Sequence, residues 1–172
     1  HNVASIDWLI DTAEQIDFRL HFQIRGAAEN PSKNFPIRGN FSQDFETEQY
    51  RSLWKHIRNR KEKSKAIASS RGYLDKIVNW PDYRQYAIKI AGMPCAAGYG
   101  YIFVASDGKG YPCGIIKDST IGIDLLKDNW RQKFDAQKPC NDCICGPYLE
   151  MNLLYQKPLR SVMDLLSHYA LQ

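Results

Sequence analysis

Apolar positions along the chain alternate between helical and strand periods, with one long stretch that follows neither. Ile6, Trp8, Leu9, Ala13 and Ile16, set among Asp7, Asp11 and Glu14, predict an amphipathic helix capped by Ser5. Phe18, Leu20, Phe22 and Ile24 alternate with Arg19, His21 and Gln23, the period of a half-buried strand. From Gly26 to Asp44 the periodicity is lost amid Asn30-Pro31-Ser32, Pro36 and Gly39-Asn40, so a long loop of the kind that usually carries function is expected. Tyr50, Leu53, Trp54 and Ile57 form the stripe of a helix opened by Thr47, and Lys65 to Ser69 reads as a short strand. Ser70 caps a further helix through Tyr73, Leu74, Ile77 and Val78, which Pro81 ends near Trp80.

Further along, Asp82 to Met93 fits either period. Tyr101 to Ala105 and Gly110 to Ile116 read as a hairpin turning at Asp107-Gly108-Lys109-Gly110. With Asp107 facing Gly110, Cys113 falls opposite Val104. Leu125, Leu126, Trp130 and Phe134 form another helical stripe, and Pro158 opens a closing helix with Ser161, Val162, Leu165, Leu166 and Tyr169. The Trp and Tyr residues at helical spacing are read as core. The expected fold class is α+β.

Composition narrows the class of protein. With 44% hydrophobic and 24% charged residues, the chain is neither collagen-like, nor a disordered tail, nor a membrane bundle. No apolar run approaches the roughly 18 residues of a membrane span, and no secretory signal is visible. A cytoplasmic setting with reduced thiols is therefore expected. Charge is unevenly spread: residues 1–50 carry four basic and eight acidic side chains, whereas Arg51 to Lys76 carries nine basic and two acidic. Such a basic block suits an acidic partner, but no aromatic platform for bases accompanies it, so a solvated helix face is the simpler reading and nucleic acid is not expected.

At 172 residues the chain can bury a sizeable core without a staple, so its five cysteines need another purpose. All lie in the second half: Cys95, Cys113, Cys140, Cys143 and Cys145. The two-residue spacer in Cys140-Asn-Asp-Cys143 lets two thiolates converge on one metal centre. The hairpin folds the Cys95–Cys113 segment back on itself, and Ala96-Ala97-Gly98 must wrap to deliver Cys95, which small residues permit. Four thiolates suit either Zn2+ or an iron–sulfur cluster. Structural zinc sites more often use two short-spaced pairs, and only one pair here is short, which favours a cluster. Gly98, Gly100, Gly108 and Gly110 do not form a phosphate loop, because no helix start or Lys-Ser/Thr step follows.

The run Cys95-Ala-Ala-Gly98, Ile102, Asp107-Gly108, Tyr111-Pro112-Cys113, Trp130 and Cys140-x-x-Cys143 resembles the auxiliary-cluster region of radical S-adenosylmethionine enzymes with SPASM or twitch extensions. Their motif places a glycine and then four residues before the second cysteine, as Gly108 and Cys113 do here. Full SPASM domains use seven cysteines for two clusters, so five point to the shorter twitch form. The resemblance implies one [4Fe-4S] cluster held by Cys95, Cys113, Cys140 and Cys143. Cys145 is then a spare thiol, an alternative ligand replacing Cys143 or Cys140, or a ligand beside an open iron site.

On the same resemblance, residues 1–45 are similar to the last helix and strand of a partial barrel and 46–82 to bridging helices. Residues 83–150 are similar to the auxiliary-cluster domain, with a C-terminal helix over 151–172. The cysteine triad of the radical-generating cluster is absent from this sequence, as are the glycine-rich S-adenosylmethionine motifs. The chain then reads as the C-terminal portion of a longer enzyme, consistent with its start at His1. Its partner would be an N-terminal radical S-adenosylmethionine barrel, in the same longer chain or a separate subunit, acting on a small molecule or peptide. S-adenosylmethionine would bind only the full-length enzyme. His21 on the strand, with Arg25, Glu29 and Asn30 in the loop after it, are the candidate substrate-binding residues, since barrels place their chemistry at strand ends. His56 and His168 have no cysteine or carboxylate at ligand spacing. Two readings from other classes compete: a structural zinc module with a basic partner-binding face, and a stand-alone iron–sulfur electron-transfer protein.

Overall fold

The computed structural model describes residues 3–24, 47–83, 95–113, 122–127 and 146–156, with single positions 159, 162 and 163. The described chain is mixed α+β. Four helices, α1 (Val3–Gln15), α2 (Thr47–Lys61), α3 (Arg71–Val78) and α4 (Gly146–Gln156), accompany three short strands, β1 (Phe103–Val104), β2 (Lys109–Tyr111) and β3 (Ile123–Asp124). The strands form one antiparallel sheet in the order β1-β2-β3.

The helices meet along their apolar stripes. Ile10 and Ala13 of α1, Trp54 and Ile57 of α2, and Tyr73, Leu74 and Ile77 of α3 form one buried cluster with Trp80, Leu149 and Leu153. Each large side chain withdrawn from water there contributes about 1.5–3 kcal/mol. The α1 stripe is narrower than expected. Ile6, Ile10 and Ala13 recur at the helical period, while Trp8 sits half a turn away and is 67% exposed, as is Ile16. Trp8 is therefore not core. Ser5 does not cap this helix either, because the first turn already begins at Val3.

At α3 the expected cap is present. Ser70 has extended backbone angles and its Oγ accepts from the Tyr73 amide at 3.0 Å, satisfying one of the orphan donors of the first turn. The other end is closed by side chains from elsewhere. Arg51 donates to the Val78 and Trp80 carbonyls, and the Tyr83 hydroxyl donates to the Ile77 carbonyl at 2.7 Å. Burial pushes the Tyr83 pKa up to about 12, which keeps that donor protonated.

The Phe18–Ile24 strand is realised only as an extended segment with a single parallel bridge, Leu20 to Ile67. Leu20 donates to the Ala66 carbonyl and accepts from the Ala68 amide, both at 2.7 Å. The next amide, Phe22 N–H, turns instead to Ser69 Oγ at 3.2 Å, and the chain after Ser69 enters α3. That side-chain acceptor ends the ladder after one rung, and no barrel is present among the described residues.

Part of the charge asymmetry of the sequence is resolved within the fold. Asp7 of α1 bonds His56 Nε2 at 2.8 Å and faces Arg60 Nε at 3.4 Å, and Arg60 also pairs with Asp11. Arg58 pairs with Glu62 and Asp75, and Arg71 with Glu62, tying α2 to α3. Glu62 is consequently held below the usual carboxylate range, first by its hydrogen bonds to Arg71 and Arg58. The acidic first helix and the basic second one are partners of each other. Among the described residues no helix is long and apolar enough to cross a membrane.

Candidate metal centre

The hairpin does turn at Gly108, but in another register. Phe103 pairs with Tyr111 and Val104 with Gly110, so the expected pairing of Asp107 with Gly110 is displaced by three residues. Val104 therefore faces Gly110 rather than Cys113. The cause is the turn. Gly108 N–H donates to the Ala105 carbonyl at 3.0 Å, Ala105 N–H donates to Lys109 at 2.9 Å, and Gly108 takes a φ of +78°. A three-residue loop with glycine in the left-handed position replaces the expected two-residue turn. β3 adds a further correction: Ile123 and Asp124 pair with Gly110 and Lys109, and Leu126, expected on a helical stripe, is in the turn after them and 96% exposed.

Cys95 is delivered by the wrap its neighbours allow. Ala97 bridges Tyr101, Gly98 N–H donates to the Tyr101 carbonyl at 2.8 Å, and Gly100 N–H donates to Ala96 at 2.7 Å. Cys95 and Cys113, with seventeen residues between them in sequence, thereby join Ala97 in a second buried cluster, with Tyr101 and Tyr148 packed against it. Both are buried, 2% and 5% exposed. Cys95 Sγ lies 3.6 Å from the Tyr101 hydroxyl.

Helix α4 serves both clusters. Leu149 and Leu153 enter the helical core, while Tyr148 stacks on Tyr101 with ring centroids 5.4 Å apart. Asn152, 1% exposed, accepts through Oδ1 from Ala96 N–H at 2.7 Å and from the Tyr101 hydroxyl at 3.3 Å. Glu150 reaches back to the Ser70 amide at 2.8 Å, at the start of α3. The helix begins one residue after Cys145 and three after Cys143, and it runs through position 150, where the sequence suggested a division. Tyr101, Tyr148 and Asn152 were not singled out by the sequence reading. The available signal was Gly146-Pro147, a helix start, followed by two offset stripes, Leu149/Leu153 and Tyr148/Asn152/Tyr155.

His21 sits where the two halves meet, not at an open strand end. Its Nδ1 is 3.1 Å from Ser69 Oγ, and its ring stacks on Tyr73 at 5.4 Å. The other ring nitrogen lies against Gly146, where a Cβ would come within 2.8 Å of Nε2, so this glycine makes room for the imidazole. Although one side of the ring is exposed, desolvation of the rest holds its pKa below the ordinary value.

Arg25, Glu29, Asn30, Cys140, Cys143, Cys145 and His168 lie outside the described residues, as do the 26–44 loop, Trp130, Phe134 and most of the closing helix. Among the described residues no group of three His, Cys, Asp or Glu side chains is placed to hold a metal ion. The described arrangement thus brings together two of the five cysteines. No family model, curated protein or solved structure matches the chain.

Proposed function

We propose that the chain is a [4Fe-4S] cluster-binding region whose ligands are Cys95, Cys113, Cys140 and Cys143, working as the C-terminal auxiliary part of a radical S-adenosylmethionine enzyme. The observation that carries this reading is the meeting of Cys95 and Cys113 in one buried cluster, packed against the helix that directly follows Cys140–Cys145. A residue three positions from an anchored one lies within about 10 Å of it, because the extended chain spans at most ~3.5 Å per residue. Cys143 is that close to Gly146 by covalent connection alone.

The residues fit such a group. Soft thiolates suit iron–sulfur and zinc centres, and thiolates buried in an apolar shell need a compensating cation. When bound, a cluster of this kind supplies one-electron transfer at a potential set by burial and by hydrogen bonds to its sulfurs. The chain's own residues bind sulfur-side: the Gly98 wrap positions Cys95, the hairpin positions Cys113, and Tyr148 with Ala97 excludes water. On this reading the barrel partner and its small-molecule or peptide substrate lie with the rest of the enzyme, and S-adenosylmethionine binds there. Against the basic-partner alternative, four of the nine basic residues of that block, Arg51, Arg58, Arg60 and Arg71, are engaged with acids and carbonyls of the fold.

Anaerobic reconstitution with iron and sulfide tests the proposal. Brown protein with about four irons and broad absorption near 400 nm is the expected result. Colourless protein holding one zinc ion would replace the cluster by a structural site. Cys143→Ser is expected to abolish the cluster and Cys145→Ser to leave it, and the reverse would overturn the ligand assignment.

A further inference from the structure

The hydrogen bonding around Cys95 contains a group that the ligand reading leaves unused. We propose that the Tyr101 hydroxyl is a rotor that donates to the Cys95 sulfur once that sulfur is a metal-bound thiolate; the inference rests on Cys95 being a ligand. Tyr101 Oη lies between two acceptors, 3.6 Å from Cys95 Sγ and 3.3 Å from Asn152 Oδ1. A phenol has one hydrogen and serves one acceptor at a time. With the thiol protonated, that hydrogen goes to Asn152, and Oη can accept from the S–H.

Metal binding replaces the S–H bond with a metal–sulfur bond and releases the proton to solvent. The sulfur is then an acceptor only, so the phenol hydrogen turns toward it. Asn152 Oδ1 remains satisfied in both states, because the Ala96 amide donates to it at 2.7 Å. The same bond commits the backbone amide next to Cys95 to Asn152. Stacking on Tyr148, with 18° between ring planes, fixes the ring while the hydroxyl rotates. Tyr101 is on this account a positioning residue. It acts through the sulfur, as groups that hydrogen-bond metal ligands generally do.

Titration of the reduced, metal-free chain with Co2+ reads this role directly, because thiolate-to-cobalt charge transfer reports the energy of the sulfur lone pair. Tyr101→Phe removes one oxygen and keeps the ring stack. Its Co2+ affinity is expected to fall at least ~10-fold, with the band moving to lower energy as the sulfur loses its hydrogen bond. A ring-fluorinated tyrosine at position 101, a stronger donor of nearly the same shape, is expected to move the band to higher energy. If both substitutions at 101 leave affinity and band position unchanged in chains that bind Co2+ through thiolate, the rotor is overturned. Absence of any thiolate-to-cobalt band in the wild-type chain overturns instead the reading of Cys95 as a ligand.

Discussion

Around α2 and α3 the buried residues are large: Trp80, Tyr73, Ile57, Ile67, Leu74 and Ile77 are all under 2% or at 2% exposure. Around the hairpin the buried cluster is Cys95, Ala97 and Cys113, and on strands of two or three residues only Tyr111 and Ile123 add large buried side chains. The first region is held by the area it withdraws from water. The second, a three-stranded sheet of very short strands, withdraws less, and it leans on α4, on the Asn152 hydrogen bonds and, on the proposed reading, on metal. Cysteine is a poor core residue by volume but a strong one by ligation.

Cys113→Ser should separate the two regions most sharply. Metal binding is expected to be lost entirely while urea unfolding of the helical region shifts by no more than about 1 kcal/mol; parallel loss of both would show a single cooperative unit. Leu149→Ala strikes the core side of the shared helix. We expect a loss of about 2–5 kcal/mol in chemical denaturation, together with faster amide exchange around Ala96, because the helix positions Asn152. Gly146→Ala would press a methyl group against His21 Nε2 and should cost about 1–3 kcal/mol. The penalty should shrink in the His21→Ala background, and an unchanged penalty there would locate the clash elsewhere.

The smallest effect is the pH dependence of His21. Its folded pKa lies below the unfolded value because burial disfavours the charged ring, so at low pH the unfolded chain binds the additional proton. The stability it contributes is complete above the ordinary histidine value of 6.5 and is lost as pH falls through the lowered folded value. Denaturation midpoints measured either side of that window should differ in the wild type, with the difference reduced in His21→Phe.

Much of the helical region was legible because its signals are local. The Tyr50/Leu53/Trp54/Ile57 stripe and the Ser70 cap need only neighbours three or four residues away, and both are present as read. Phe18 to Ile24 alternates as a strand should, yet its ladder stops where Ser69 Oγ, forty-seven residues from Phe22, takes the amide. The hairpin was visible from Asp107-Gly108, but its register was not, because a loop one residue longer changes which side chains face each other. At the candidate site the cysteines were conspicuous, whereas Tyr101 and Asn152 were ordinary residues until a helix more than forty positions away brought the amide beside the phenol.

What the sequence by itself determined is helices α1 to α3, the turn at Gly108 and the number and spacing of the thiols. These follow from backbone period, from left-handed glycine and from ligand chemistry, which are properties of short segments. Tertiary structure alone decided that Asp7 and Asp11 of α1 pair with His56 and Arg60 of α2, that Phe103 comes opposite Tyr111, and that one helix joins both clusters. Those outcomes depend on which distant surfaces bury together and on where a single side-chain acceptor interrupts a ladder, so no local pattern contains them.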